Sequence, residues 1–194
     1  RGAKVGPSSL RRQSQLLAVR PDLVIASLRG NVDTRLAKLA AVEYDAIIMA
    51  AAGMTRLGLS VPHMAELPET LMLPAAGQGA LGIEYREDRP ELANLLAFLD
   101  HSATHTCVMA ERGFLAGLDG GCQAPMAARA AITDGTLTLT ALLCGLNGER
   151  PFLETAEMNA ALGPRQAFRL GRTLADAVKA SGGESLLAEI FAVD

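Results

Sequence analysis

The chain has 194 residues, of which 49% are hydrophobic, and a formal net charge of -3. That length and apolar content suffice for one large or two small domains with folded cores. No apolar run reaches the roughly 18 residues that a membrane-spanning helix needs, and the first residues lack the apolar core of a signal peptide. We therefore expect a globular protein in the cytoplasm.

The charge is distributed unevenly. Residues 1–56 contain nine Lys and Arg against four Asp and Glu, so this part is basic within an acidic protein. The imbalance predicts a surface that binds anions. The basic region is small and aromatic residues make up only 4% of the chain, which argues against nucleic acid as the anion.

Two features of the whole chain concern the redox state of its cysteines and the residue at which it begins. Cys107, Cys122 and Cys144 are odd in number and lack metal-like spacing, which predicts reduced thiols instead of disulfides. The chain also opens without Met, at a residue typical of the middle of a protein. Both a fragment and a processed or trimmed protein would begin in this way, and we interpret the chain as a fragment.

Short apolar runs alternate with amphipathic segments over the first 56 residues. We predict helices from Ser8 or Ser9 to Arg20, over 32–42 and through Arg56. The alternation predicts a parallel sheet with helices packed on its faces, that is, an α/β domain. The predicted strands are 4–5, 23–28 and 45–50.

The pattern changes after residue 60. Three prolines between Pro62 and Pro74 mark a connection, after which we predict a strand over 80–85 and a helix over 90–99. We place a domain boundary near Asp100. Turn sequences at 133–135 and 146–148 make the following strands an antiparallel meander in a small α+β domain. Its predicted helices are 103–118, 164–180 and 184–191, and its strands 126–132, 136–144 and 151–159.

Arginine recurs where the predicted parallel strands end. Ligands of open parallel sheets bind beyond the carboxyl ends of the strands. The segments there, 6–12, 29–35 and 51–56, each carry arginine and lead into a helix N-terminus. This combination suits carboxylates or phosphates, with arginine favouring planar carboxylates. Any one of these arginines could instead belong to a solvated helix face, but the threefold recurrence favours a site.

Two further motifs are weak. Residues 77–82 match G-x-G-x-x-G, but they precede a predicted strand instead of following one, so we predict a close backbone approach or a hinge and no dinucleotide site. His101, His105 and Cys107 lack a fourth metal ligand, and we predict no metal site.

Cys122 differs from the other two cysteines. It lies in a predicted loop, 119–125, behind two glycines and ahead of a proline, where little side chain would cover the sulfur. A reactive thiol needs such exposure and a lowered pKa, whereas an isolated cysteine is usually inert. Cys122 could thus be either a reactive or an inert thiol, whereas we predict that Cys107 and Cys144 are inert.

Four segments are recognisable together. Residues 5–13 (VGPSSLRRQ), 28–36 (LRGNVDTRL), 73–80 (LPAAGQGA) and 120–123 (GGCQ) resemble, in this order, motifs of the porphobilinogen deaminase (hydroxymethylbilane synthase) family. The resemblance covers nearly the whole chain and weakens after about Asn147. It implies a transferase that joins four porphobilinogen molecules head to tail, releasing ammonia, to give hydroxymethylbilane for haem and other tetrapyrroles. It also implies a dipyrromethane cofactor bound through a thioether to Cys122.

The resemblance also implies roles for the basic strand ends. Each pyrrole carries an acetate and a propionate, so the cofactor and the growing polypyrrole are polyanions. The family uses an aspartate to stabilise cationic intermediates. No residue here corresponds to it, and we expect it upstream, with this chain inactive alone. The residues carried over as binding the cofactor are Ser8, Ser9, Arg11, Arg12, Arg29, Gly30, Asn31, Arg35, Arg56, Gln78 and Gly121.

The resemblance further implies a domain division. Residues 1–73 would form the anion-binding and substrate-binding domain, of the periplasmic-binding-protein type. Residues 74–100 would be a connection and the returning segment of a mostly absent first domain, and 101–194 the cofactor-carrying domain.

The chain departs from the family pattern at two positions. Pro7 stands where the family usually has threonine, and Ala124 is smaller than the residue that the family usually has there. We expect the full-length enzyme to be a monomer without nucleic-acid or membrane partners, and this chain to be prone to self-association.

Two other classes of function are weighed. A non-catalytic anion-binding module of the periplasmic-binding-protein type would place arginines at similar strand ends but would give Cys122 no role. A purely structural or interaction domain would give neither Arg11 nor Arg29 a role in binding.

Overall fold

The computed structural model describes residues 1–119 and 124–192. Its first part contains a parallel sheet of the order β2-β1-β3, built from β1 (Lys4–Gly6), β2 (Val24–Ile25) and β3 (Ala46–Ile47). Helices α1 (Leu10–Val19), α2 (Val32–Ala40) and α3 (Ala51–Arg56) follow these strands in turn. The predicted parallel α/β arrangement is confirmed. The outer strands are shorter than predicted, because each pairs only with the three-residue β1.

The segment between α3 and the next helix differs from the prediction. Residues 57–89 form neither helix nor strand, so the strand predicted over 80–85 is wrong. A strand needs a neighbour for its backbone N–H and C=O groups, and no described strand lies beside this segment. The apolar side chains of residues 80–85 face solvent, with Leu81 88% exposed. The helix predicted over 90–99 is confirmed as α4 (Pro90–Leu96) and a 3-10 turn (Ala97–Leu99).

The second part is an α+β unit. A long helix, α5 (Ser102–Leu118), precedes an antiparallel sheet of the order β4-β5-β6. The strands are β4 (Met126–Thr133), β5 (Thr136–Leu143) and β6 (Phe152–Asn159), with Met126 opposite Leu143 and Leu143 opposite Phe152. After a 3-10 turn come α6 (Gly163–Val178) and, beyond a wide turn, α7 (Glu184–Phe191). The predicted meander and helices are confirmed.

The main hydrophobic core lies between this antiparallel sheet and the three helices. Phe114 and Leu118 of α5, Leu139 of β5 and Val178 of α6 are almost completely buried there. The first part buries far fewer apolar side chains, among them Val5, Leu28 and Met54. No helix within residues 1–119 and 124–192 is long and apolar enough to cross a membrane.

Helix α1 is held from two sides. The Gln15 amide nitrogen donates to the Leu73 carbonyl at 3.1 Å, and the Leu73 N–H donates to the Gln15 amide oxygen at 2.7 Å. On the other side, the amide nitrogen of Gln13 donates to the Leu146 carbonyl at 3.3 Å. The turn after β5 also packs on α1, since a Cβ on Gly148 would lie 2.4 Å from the Ala18 nitrogen. These contacts fix the N-terminal turn of α1, where two arginines lie.

Candidate anion-binding site

The site begins at the N-terminus of α1. Ser9 has an extended backbone and caps the helix by accepting from the Arg12 N–H at 3.4 Å. The Arg12 guanidinium donates through Nη1 to the Ser8 hydroxyl at 2.9 Å and to the Ile48 carbonyl at 3.2 Å. Arg12 therefore connects α1 to the carboxyl end of β3, where ligands of parallel sheets bind.

The neighbouring Arg11 reaches in another direction. Its Nη1 donates to the Leu73 carbonyl at 2.5 Å, and its Nη2 donates to the Gln78 amide oxygen at 3.4 Å. Gln78 Oε1 also accepts from the Ala75 N–H at 3.3 Å. Arg11 is thus oriented by the connection, 73–78, that follows the parallel domain.

Arg11 and Arg12 are both buried without a negative partner among the described residues. Arg11 is 8% and Arg12 9% exposed, and neither forms a salt bridge with any residue that the structure describes. Burial and the nearby Arg12 charge lower the pKa of Arg11 to about 10. Burial and the charge of Arg35 lower the pKa of Arg12. A buried charge without a counter-ion is costly, so a bound anion would stabilise this arrangement.

A cavity of about 400 Å³ opens at these arginines. Ser8, Ser9 and the connection around Ala75 line it. Leu115 of α5, Ala124 and Met126 line it as well. The cavity thus includes both the arginines and Ala124, which follows Cys122 by two positions in the sequence.

A second cavity, of about 720 Å³, shares Arg11, Arg12 and Gln78 with the first. It runs along β3 and the segment 61–74, with a largely apolar lining that includes Met49 and Met54. The two arginines therefore stand where two cavities meet.

The other described residues that the family resemblance assigns to cofactor binding lie outside the smaller cavity. Arg29 and Arg56 are exposed and line neither cavity. The Arg35 guanidinium donates through Nε to the Gly30 carbonyl at 2.8 Å. The Asn31 side chain accepts from the Thr34 N–H at 2.9 Å and so caps α2.

The structure thus assembles part of the predicted site. Ser8, Ser9, Arg11, Arg12 and Gln78 line one cavity, and Arg35 is near enough to affect Arg12. Gly30 has a φ of +120°, and a Cβ there would lie 2.8 Å from the Thr34 side chain, so glycine is needed for the backbone and not for a ligand alone. Gly121 and Cys122 lie outside the described residues.

Sequence reasoning missed two buried polar residues next to the site. One is Gln15, which holds Leu73. The other is Glu111, 5% exposed, which accepts from the Gly77 N–H at 2.6 Å. A signal for Glu111 was present, because it stands at helical spacing within the apolar stripe of Cys107, Phe114 and Leu118.

The weaker motifs take ordinary structural roles. His101 caps α5 by accepting from the Thr104 N–H, and His105 pairs with Asp100 at 3.1 Å. Within residues 1–119 and 124–192 no three His, Cys, Asp or Glu side chains form a group able to hold a metal ion. Burial raises the pKa of the free Cys107 and Cys144 thiols, which disfavours the reactive thiolate.

The fold is an α/β unit beside a small α+β unit, and its arginines, buried without a carboxylate partner among the described residues, define a candidate anion-binding protein. Two sequence models of one family match it in succession. "Porphobilinogen deaminase, dipyromethane cofactor binding domain" matches residues 1–94, and "Porphobilinogen deaminase, C-terminal domain" matches residues 105–180. The chain belongs to the porphobilinogen deaminase family.

Curated relatives agree with this assignment. The chain is 56% identical to the porphobilinogen deaminase of Nitratidesulfovibrio vulgaris (strain DP4) over 98% of its own length and 60% of the relative. It is 50% identical to that of Lawsonia intracellularis, covering 98% and 61%. For Geobacter metallireducens the identity is 44%, covering 98% and 58%. The chain therefore spans about 60% of the length of the curated relatives that it matches.

The cofactor of the family is a dipyrromethane, and the residues present fit it. The cofactor-binding match includes Arg11, Arg12 and Gln78, whereas Cys122 falls in the C-terminal match. Two buried guanidinium groups with two hydroxyls suit a ligand rich in carboxylates. The cavity of about 400 Å³ is within the usual range for a small-molecule site.

Proposed function

We propose that the cavity at the N-terminus of α1 binds the carboxylates of a dipyrromethane that is attached by a thioether to Cys122. The observation that carries the proposal is the burial of Arg11 and Arg12, without a described carboxylate partner, in a cavity that Ala124 also lines. Ala124 is two positions in the sequence from the proposed attachment point.

Each residue of the site has a role in this proposal. Arg11 and Arg12 bind carboxylates, the hydroxyls of Ser8 and Ser9 complete the anion contacts, and Gln78 orients Arg11. Gly121 leaves backbone room beside Cys122. The family's cofactor supplies the primer to which pyrrole units are added. Further contacts to the growing polypyrrole are proposed for Arg29, Gly30, Asn31, Arg35 and Arg56.

We propose, for the protein as a whole, the transferase activity of its relatives. Four porphobilinogen molecules are joined head to tail, each giving up its nitrogen as ammonia, and water releases hydroxymethylbilane. Several finer points stay predictions. They are the absence of a counterpart to the family's aspartate, the inactivity of these 194 residues alone and the domain division. The periplasmic-binding-protein type of the parallel domain, the monomeric state and the cytoplasmic location are predictions as well.

The proposal is tested by the intact mass of the purified chain beside that of Cys122→Ser. We expect an added mass of two pyrrole units that disappears in Cys122→Ser. Cys107→Ser is the matched control, since Cys107 is a half-buried thiol on α5 and should leave the added mass in place. An adduct that persists in Cys122→Ser, or an unmodified wild-type mass, would contradict the proposed attachment in this chain.

The activity is tested separately by the release of ammonia from porphobilinogen. We expect the relatives' reaction from an intact enzyme and none from these 194 residues alone. Turnover by this chain would show that its own residues suffice and would overturn the predicted inactivity.

A further inference from the structure

Glu111 is a buried carboxylate for which the proposed chemistry has no role so far. It lies on α5 and is 5% exposed. One carboxylate oxygen accepts from the Gly77 N–H at 2.6 Å, and the other accepts from the Ala130 N–H at 2.8 Å. Since β4 is an edge strand, Ala130 offers this N–H on the side away from β5. A single side chain therefore ties α5, the edge of β4 and the connection 73–78 together.

The contacts continue from Gly77 to the anion site. The next residue, Gln78, places its amide oxygen where it accepts from Ala75 and from the Arg11 guanidinium. Gly77 has a φ of +71°, a left-handed turn that the bond from its N–H to Glu111 holds in place. A continuous path thus leads from Glu111 through Gly77 and Gln78 to Arg11.

The chemistry of the position favours a carboxylate over an amide. Both neighbours of the Glu111 oxygens are N–H donors, and the ionised side chain accepts from both of them. A glutamine would present an NH₂ group to one of the two donors and leave that N–H unpaired. Charge-assisted bonds to two backbone N–H groups offset part of the cost of burying the charge.

We propose that Glu111 is a positioning residue of the anion site, which sets the place of Gln78 and, through it, the direction of the Arg11 guanidinium. This inference rests on the proposed function, because the direction of Arg11 matters only if the cavity binds an anion. It assigns to the α+β unit a part in shaping the site that the parallel unit carries.

The test is amide hydrogen exchange of the full chain and its Glu111→Gln variant. We expect the Ala75 amide, which contacts Gln78 and not Glu111, to exchange about tenfold faster in the variant, with core amides of β5 unchanged. The matched control is Glu69→Gln, which removes the exposed carboxylate paired with Arg129 but no contact to Gly77. An unchanged Ala75 rate, or a uniform rise throughout the core, would overturn the proposal.

A second readout is affinity for a free dipyrromethane tetracarboxylate, two pyrroles each with an acetate and a propionate, measured in a Cys122→Ser background so that no covalent cofactor occupies the cavity. We expect about tenfold weaker binding by Glu111→Gln and by Gln78→Ala, and no further loss in the double variant, because both act on Arg11 by one path. Additive losses would overturn the inference. If the Cys122→Ser chain bound no probe, the proposed function would fail, while the exchange rates would still decide the inference.

Discussion

A methyl group added to Gly113 would lie 2.1 Å from the carbonyl oxygen of Phe168. The relation is reciprocal, since a Cβ on Gly171 would lie 2.1 Å from the Ala110 carbonyl oxygen. Helices α5 and α6 therefore cross with their backbones in contact, which no residue larger than glycine permits without a shift. This crossing supports the core of the α+β unit.

We expect Gly113→Ala to lower the free energy of unfolding by about 3 kcal/mol, because the helices must move apart in a close-packed core. Urea denaturation measures the loss. Gly53→Ala is the control, since Gly53 lies in α3 with nothing within 4 Å of an added Cβ, and its unfolding free energy should change by less than about 1 kcal/mol. Equal effects of the two substitutions would contradict the close crossing.

In a Cys122→Ser background, which keeps the cavity free of covalent cofactor, Arg12→Met should weaken binding of the free dipyrromethane tetracarboxylate by about 1.5 to 3 kcal/mol, the value of a charge-assisted pair. Without an anion the same substitution should cost little stability, because it removes a buried charge that lacks a described counter-ion. Titration calorimetry and urea denaturation measure the two effects. Arg20→Met, at an exposed arginine paired with Asp22, should leave the affinity unchanged. A fall in stability with unchanged affinity would assign Arg12 a structural role only.

The stability of the chain should depend on pH through Glu111. Burial raises the pKa of Glu111 above its ordinary value of 4.5, against the opposing effects of Gly77, Ala130 and Arg129. The folded chain therefore keeps this proton at pH values where the unfolded chain has lost it. The resulting stabilisation is complete below pH 4.5 and is lost as the pH rises through the raised pKa.

Because glutamine does not titrate, the destabilisation caused by Glu111→Gln should be largest below pH 4.5 and should shrink as the pH rises. Urea denaturation across this range measures the difference. Cys107, Arg129 and Glu69 are the other groups that act on Glu111 or share its surroundings. Glu69 is the other carboxylate among them, so both chains are compared in a Glu69→Gln background. A difference independent of pH would contradict the raised pKa.

Two substitutions at Asn31 distinguish its role in capping α2 from a role in anion binding. Asn31→Ala removes the acceptor for the Thr34 N–H and should cost about 1 kcal/mol of stability. Asn31→Asp keeps the cap and should be neutral in stability, but its negative charge beside the Gly30 carbonyl that Arg35 contacts should weaken anion binding. Denaturation and probe affinity distinguish the two effects. Equal destabilisation by both substitutions would show that the cap is not the reason for asparagine here.

Local signals in the sequence were sufficient for most elements. The Ser9 cap and apolar spacing placed α1, and the turn at 133–135 placed β4 and β5 within a residue of their observed bounds. These features depend on neighbours a few residues apart, so the sequence displays them directly. The strand expected over 80–85 failed for the complementary reason, because a strand exists only beside another strand.

The amino-acid sequence by itself determined the two kinds of sheet, the helices, the family and the presence of arginine at the strand ends. Only the tertiary structure decided which arginines line the cavities, since Arg11 and Arg12 are buried whereas Arg29 and Arg56 stay in solvent. It also decided the contacts of Arg11 with Leu73, 62 residues away, and of Glu111 with Gly77, 34 residues away. Burial and long-range hydrogen bonds depend on how separate elements pack, and no periodicity along the chain encodes that packing.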